Sequence, residues 1–137
     1  MKKYDVVVVG GSAAGIPAAI TSRRHYPDKN VLLIRKEQAV QIPCGIPYIF
    51  GTVGTPDKNM IPDTVLSSNG INLLIDEVQS IDRGKKDVTT ASGEVISYDK
   101  LVLATGSKPL QLPITGIDKR NVFTVKKEAS YINEILK

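Results

Sequence analysis

The sequence predicts an α/β fold, a parallel sheet joined to an antiparallel three-stranded meander, and three observations carry that expectation. Residues 4–9 form a short β-branched run stopped by Gly10-Gly11, the pattern of a strand buried on both faces. A small-residue helical stretch and a second apolar run at residues 31–34 follow within about 30 residues, the length of a strand–helix–strand unit with parallel strands. Residues 78–81, 87–90 and 94–97 then alternate apolar and polar at period two, with turn residues Gly84 and Ser92-Gly93 between them.

The first helix is expected over residues 13–26. Ala14, Ala18 and Ala19 let it pack closely, Pro17 falls in or beside its first turn, and Arg23-Arg24 lie near its end. A turn at residues 27–30 leads into the second strand. Residues 40–54 contain Pro43, Cys44, Gly45 and Pro47, so they begin as a loop and continue as a short helix over 45–50. Residues 63–69 read as a helix closed by Gly70, because glycine tolerates the left-handed geometry of a helix end. Residues 71–75 are a third strand, and 101–105 are another buried strand ended by Gly106. After a loop at 108–120, a short strand at 122–124 and an amphipathic helix at 127–136 complete the chain.

A length of 137 residues suits one compact domain. The 42% hydrophobic and 23% charged fractions exclude a disordered tail and permit a core. Lys and Arg number 18 against 14 Asp and Glu, and the excess is mild and spread out, without a basic arm. Nucleic acid is therefore not an expected partner. No apolar run approaches the ~20 residues that span a bilayer. The N-terminal valine run is shorter than a secretory h-region and no small-residue cleavage site follows it, so a cytoplasmic protein away from membranes is expected. The single cysteine rules out an internal disulfide framework and a multi-cysteine zinc cage, and no metal site is expected.

The segment Gly10, Gly11, Ser12, Ala13, Ala14, Gly15 sits between a strand and a helix, where a Rossmann-like dinucleotide fingerprint belongs. Gly10 allows the tight turn, Gly15 close helix packing, and N–H groups at the helix start would face a pyrophosphate. Ser12 replaces the middle glycine of the pattern and is small enough for close approach. An acid expected about 20 residues on would bind a ribose hydroxyl. Arg35 fills that slot, followed by Lys36 and Glu37. Arginine cannot accept a hydroxyl hydrogen bond; it suits a 2′-phosphate, as in NADP, or adenine stacking. Glu37 could take the ribose contact, but along a strand it would lie about 7 Å further on.

The run Tyr98-Asp99-Lys100-Leu101-Val102-Leu103-Ala104-Thr105-Gly106-Ser107-Lys108-Pro109, placed after a meander and a glycine loop, resembles the flavin-binding domain of the pyridine nucleotide-disulfide oxidoreductases over essentially the whole chain. The resemblance implies an FAD/NAD(P)-binding fold with Ala104, Thr105 and Gly106 against FAD and backbone contacts from Glu77 and Val78 to the adenine. Most members carry a Cys-x₄-Cys pair. This chain has Pro43-Cys44-Gly45-Ile46-Pro47-Tyr48, which resembles the single-cysteine branch of coenzyme A-disulfide reductases and NADH oxidases. Cys44 is then the catalytic thiol, open to a mixed disulfide, a sulfenic acid or a persulfide. Beside the resemblance, an adjoining helix start favours the thiolate form of a cysteine, and Pro43 and Pro47 stiffen the loop; a lone cysteine is otherwise a small buried hydrophobe. Thr21 and Arg24 would help bind CoA phosphates, or Arg24 simply complements the helix dipole. His25 is expected at the surface, and Tyr48 to pack.

Members of that family run to several hundred residues. Residues 1–137 are accordingly expected to be the N-terminal part of an FAD-binding domain, an incomplete fold whose NAD(P)H-binding and dimerisation domains lie outside this chain. An unpaired sheet edge predicts a homo-oligomer. The expected activity is electron transfer from NAD(P)H through FAD to one redox cysteine and a small-molecule disulfide, peroxide, oxygen or polysulfide acceptor, with CoA a further ligand. The alternative is a non-catalytic nucleotide- or CoA-binding module, which would carry no colour.

Overall fold

The computed structural model describes residues 2–137, and their chain packs as two compact units. One unit runs through Val40 and resumes over Ile61–Gly106; the other comprises Gln41–Met60 and Ser107–Lys137.

The first unit is a six-stranded sheet in the order β5-β2-β1-β8-β7-β6. β1 is Lys2–Val9, β2 Val31–Arg35, β5 Asn72–Ile75, β6 Val78–Asp82, β7 Asp87–Thr90 and β8 Val95–Leu103. The pairs β1–β2, β1–β8 and β2–β5 are parallel, whereas β7–β8 and β6–β7 are antiparallel. The expected parallel sheet and meander are therefore one continuous sheet. Helices α1 (Gly15–His25) and α3 (Thr64–Ser67) belong to this unit.

Alternate residues of the same strands fill two cores. Val7, Val9, Leu32 and Ile34 join Val88, Ile96 and Tyr98 in one. Val8, Val31 and Leu33 join Ile16 and Ala19 of α1, Leu66 of α3 and Ile71 in the other. This explains why β1 and β2 read as unbroken apolar runs, since each strand has apolar neighbours on both faces.

Two expectations fail on the far strands. The expected strands 94–97 and 101–105 are not separate: residues 95–103 form β8, which pairs with β1 from Lys2↔Ile96 to Val9↔Leu103. The polar Asp99-Lys100 step separates the two expected runs. In the sheet it faces solvent, and Asp99 Oδ1 pairs with Lys3 Nζ on the adjacent strand at 3.2 Å. Residues 122–124 form no strand, because no partner strand lies beside them among the described residues.

The turn after α1 is held by charge. Arg23 Nη1 donates to the carbonyls of Pro27 and Lys29, Lys29 Nζ reaches Asp5 Oδ1 at 2.9 Å, and the Asn30 N–H donates to Asp5 Oδ2 at 2.8 Å. The arginine pair at the helix end thus divides, Arg23 structural and Arg24 exposed.

In the second unit the chain is helical continuously from Pro43 to Val53. A 3₁₀ turn over Pro43–Gly45 leads into α2 (Ile46–Tyr48) and a π turn over Ile49–Val53, ended by Gly54 in the left-handed region. A further 3₁₀ turn covers Pro56–Asn59, and α4 covers Ala129–Ile135. The core of this unit is Ile46, Ile49 and Ile132, with Val53 against them. Short strands β3 (Val40–Gln41) and β4 (Met60–Ile61) form a two-stranded sheet.

Candidate functional site

At the C-terminal end of the parallel strands, the two sequence motifs meet. The Gly10 N–H donates to the Ile34 carbonyl at 2.8 Å, and the Ala104 N–H donates to the Val9 carbonyl at 2.8 Å. Gly10 has φ +109°, and a Cβ there would lie 2.1 Å from the Ala104 oxygen; a Cβ on Gly15 would lie 1.8 Å from the Gly10 oxygen. Only glycine lets the β1 turn, the start of α1 and the end of β8 come this close. The glycine loop and the Ala104-Thr105-Gly106 strand end therefore share one edge.

The donors on that edge are unmatched. Among the described residues no acceptor takes the N–H groups of Ser12, Ala13 or Ala14, and no side chain caps α1. Ser12 Oγ is buried without a hydrogen-bond partner. Exposed donors at the start of an eleven-residue helix, with its dipole behind them, suit an anion such as a pyrophosphate.

Arg35 lies within the fold, its side chain 1% exposed. Its stem crosses Gly11, whose Cβ would lie 2.6 Å from Arg35 Cδ, so the small residue at position 11 makes room for the arginine. Nε donates to the Glu37 carbonyl at 2.8 Å, and Nη2 donates to the Gln38 carbonyl at 3.0 Å and to Asp63 Oδ1 at 2.7 Å. Strand β2 stops at Arg35 and the chain curls back toward the guanidinium. Glu37 is consequently not displaced along an extended strand as the sequence suggested. Lys36 stays exposed, 3.9 Å from Glu77 Oε1.

Both backbone groups of Glu77 serve the fold: its N–H donates to Asp76 Oδ1 at 2.7 Å and its carbonyl accepts from Ala91 at 2.8 Å. Val78 starts β6 opposite Thr90. Asp76, which sequence reasoning missed, ties this corner together. The Ser92 hydroxyl donates to its Oδ2 at 2.6 Å. That bond first, then the Thr90 hydroxyl, hold its carboxyl down at about 2, below the 3.8 of a free carboxyl. A depressed folded pKa stabilises above the unfolded value, so the contribution is present above pH ~4 and is lost as pH falls toward 2. Ser92→Ala is expected to raise the Asp76 titration midpoint toward the ordinary carboxylate range, read by carboxyl-carbon NMR. An unchanged midpoint would show that the hydroxyl is not its main support.

In the second unit Cys44 is exposed, the central residue of the 3₁₀ turn. The helical run begins two residues before the expected position, so the thiol lies within its first turn. A buried amide pair fixes this turn from beneath. Asn59 Nδ2 donates to Gln41 Oε1 at 3.0 Å and to the Ile42 carbonyl at 2.9 Å; Gln41 Nε2 donates to the Pro56 carbonyl at 3.1 Å and contacts Met60 Sδ at 2.8 Å. A Cβ on Gly45 would meet Asn59 Oδ1 at 1.9 Å. Neither amide carries a pattern readable in sequence. Asn59→Ala should destabilise the protein by about 2 kcal/mol, by orphaning buried acceptors, and speed alkylation of Cys44. An alkylation rate equal to wild type would separate the pair from the thiol's setting. Beside the turn lies a cavity of about 930 Å³ whose lining includes Pro43, Ile46, Lys108, Leu110, Thr124 and Lys126. Lys126 Nζ sits 4.7 Å over the Tyr131 ring. Tyr48 is exposed rather than packed, and so is His25, as expected.

Thr21 and Arg24 are exposed on α1, and among the described residues no hydrogen bond or ion pair engages their side chains. Among the same residues no helix is long and apolar enough to cross a membrane.

The family described as pyridine nucleotide-disulphide oxidoreductase matches residues 4–134. The chain is 38% identical over 127 residues to the NAD(P)H coenzyme A polysulfide/persulfide reductase of Pyrococcus horikoshii, covering 89% of this chain and 28% of that protein. It is 33% identical over 129 residues to an NADH oxidase of Methanocaldococcus jannaschii, covering 88% of this chain and 29% of the relative. Among solved structures, an NAD-dependent persulfide reductase from A. fulgidus superposes with TM-score 0.80 at 30% identity, over 96% of this chain and 26% of that one. The chain thus spans under a third of the length of these relatives.

Proposed function

This chain belongs to the pyridine nucleotide-disulfide oxidoreductase family, and from that premise we propose that it is the FAD-binding segment of an NAD(P)H-dependent oxidoreductase whose redox thiol is Cys44. The observation that carries the reading is the meeting of the glycine loop with the Ala104-Thr105-Gly106 strand end on one sheet edge, where loop donors stand unmatched. Those donors fit a dinucleotide pyrophosphate. Gly10, Gly15 and the N–H groups of Ser12, Ala13 and Ala14 would hold it, and Ala104, Thr105 and Gly106 would lie along the flavin. When bound, FAD supplies two-electron chemistry, taking a hydride from a nicotinamide and making the pair available to sulfur.

The protein's own contribution is Cys44. As a thiolate it attacks one sulfur of an acceptor R–S–S–R′, forming Cys44–S–S–R and expelling R′S⁻. Two electrons and one proton then regenerate the Cys44 thiolate and release RSH. The exposed position of Cys44 supports attack on a diffusing disulfide or polysulfide, and Lys108 and Lys126 in the adjacent cavity favour an anionic one. The relatives named for polysulfide and persulfide reduction point the same way.

A visible absorption spectrum after incubation with FAD and desalting tests the reading. Retained flavin bands are expected; a colourless protein would favour a nucleotide- or CoA-binding module without catalysis.

A further inference from the structure

We propose that Asp63, carried into place by Arg35, is the carboxylate that binds the adenosine ribose of the cofactor. The inference rests on the dinucleotide reading above and adds a residue to it. In a strand–loop–helix site the ribose hydroxyls need an acceptor near the end of the second strand, and here that place holds a cation without acceptor capacity.

Three observations place the acceptor on Asp63. The Arg35 stem crosses Gly11 of the phosphate loop, and its Nη2 grips Asp63 Oδ1 at 2.7 Å, so the carboxylate stands one guanidinium away from the loop. Asp63 occupies the N-cap position of α3, where an aspartate ordinarily accepts from the helix's own N–H groups, yet its side chain makes no such bond. That capping interaction is given up for Arg35. The Asp63 side chain remains 50% exposed while its partner is 1% exposed, which leaves carboxylate surface open to a ligand.

The fourth observation is on the arginine. Nη1 is buried and has no hydrogen-bond partner, although the rest of the guanidinium is fully engaged. A vicinal diol can both donate and accept. A ribose hydroxyl can donate to the open carboxylate of Asp63, which the buried guanidinium holds in place. A 2′-phosphate would instead meet the Asp63 carboxylate, so the pair selects an unmodified ribose, as in FAD, over a 2′-phosphorylated one.

Calorimetry on the nucleotide-stripped protein with ADP, 2′,3′-dideoxy-ADP and adenosine 2′,5′-bisphosphate tests this, alongside FAD retention. Wild type should prefer ADP to the dideoxy compound by about ten- to hundredfold, the scale of hydrogen bonds to a charged group. It should also reject the 2′-phosphate. Asp63→Asn should erase most of the preference for the hydroxyls while leaving dideoxy-ADP binding unchanged. Equal wild-type affinity for ADP and dideoxy-ADP, with FAD retained, would overturn the proposal and leave the flavin reading standing. An Asp63→Asn protein that melts lower but keeps full hydroxyl discrimination would reduce the ion pair to a structural clasp and also overturn it. Loss of both FAD and ADP binding in wild type would overturn the flavin reading and the proposal together.

Discussion

Cys44→Ser in the holoenzyme is expected to cut disulfide reduction on the order of 10³-fold or more, the scale of removing a covalent nucleophile, while FAD stays bound. A serine hydroxyl is close to a thiol in size, and Cys44 is exposed at the centre of a 3₁₀ turn, so the replacement leaves the packing of Ile46 and Ile49 untouched. What disappears is the capacity to form an S–S bond. Melting temperature and flavin absorbance should match wild type, and stopped-flow turnover with a disulfide should collapse. Undiminished disulfide reduction would remove Cys44 from the chemistry and leave the chain as a flavin scaffold serving another acceptor.

The second large effect belongs to the glycine edge. Gly15→Ala places a methyl group 1.8 Å from the Gly10 carbonyl oxygen, a backbone atom that cannot swing aside. Either α1 retreats from β1 or the turn at Gly10 opens, and both disturb the core that Ile16 and Ala19 share with Val8 and Leu33. A loss of about 3 kcal/mol is expected, at the upper end of overpacking effects, with Tm lower by roughly 10 °C. Gly51 provides the control, since a Cβ there would meet nothing within 4 Å; Gly51→Ala should leave Tm within about a degree or two, the scale of a surface substitution. If Gly15→Ala melts with wild type, the tight crossing of loop and strand is not a structural requirement.

How far the sequence could be read follows from what each signal depends on. Strand β1, the glycine loop, α1 and β2 were legible because hydrophobic run, glycine and helix pattern are all local. The helical start near Cys44 was legible to within two residues from Pro43 and Gly45, although its first turn is 3₁₀. The continuity of β8 was not, because Asp99 and Lys100 lie exposed within a strand whose partner β1, with Lys3 beside Asp99, is about a hundred positions away in the chain. Arg35 was seen, but its orientation depends on Asp63, and a partner 28 residues distant leaves no trace in spacing. The Gln41–Asn59 pair was invisible for the same reason. The glycine edge was therefore readable, while the polar interactions that shape it were not.

The pairing of β1 with β8 also sets an order of assembly. Val8 finds its partner on β2 at Leu33, but its partner on β8 is Val102, 94 residues further on. At a synthesis rate of about 5–20 residues per second, β1 emerges roughly 5–20 s before that strand exists. During that interval a valine-rich edge stays open on the nascent chain, and closing it requires a long loop to be drawn in before any contact repays the lost entropy. The junction of β1 with β8 in the middle of the sheet can close only once β8 exists, and the Ala104 contact with Gly10 arrives with it.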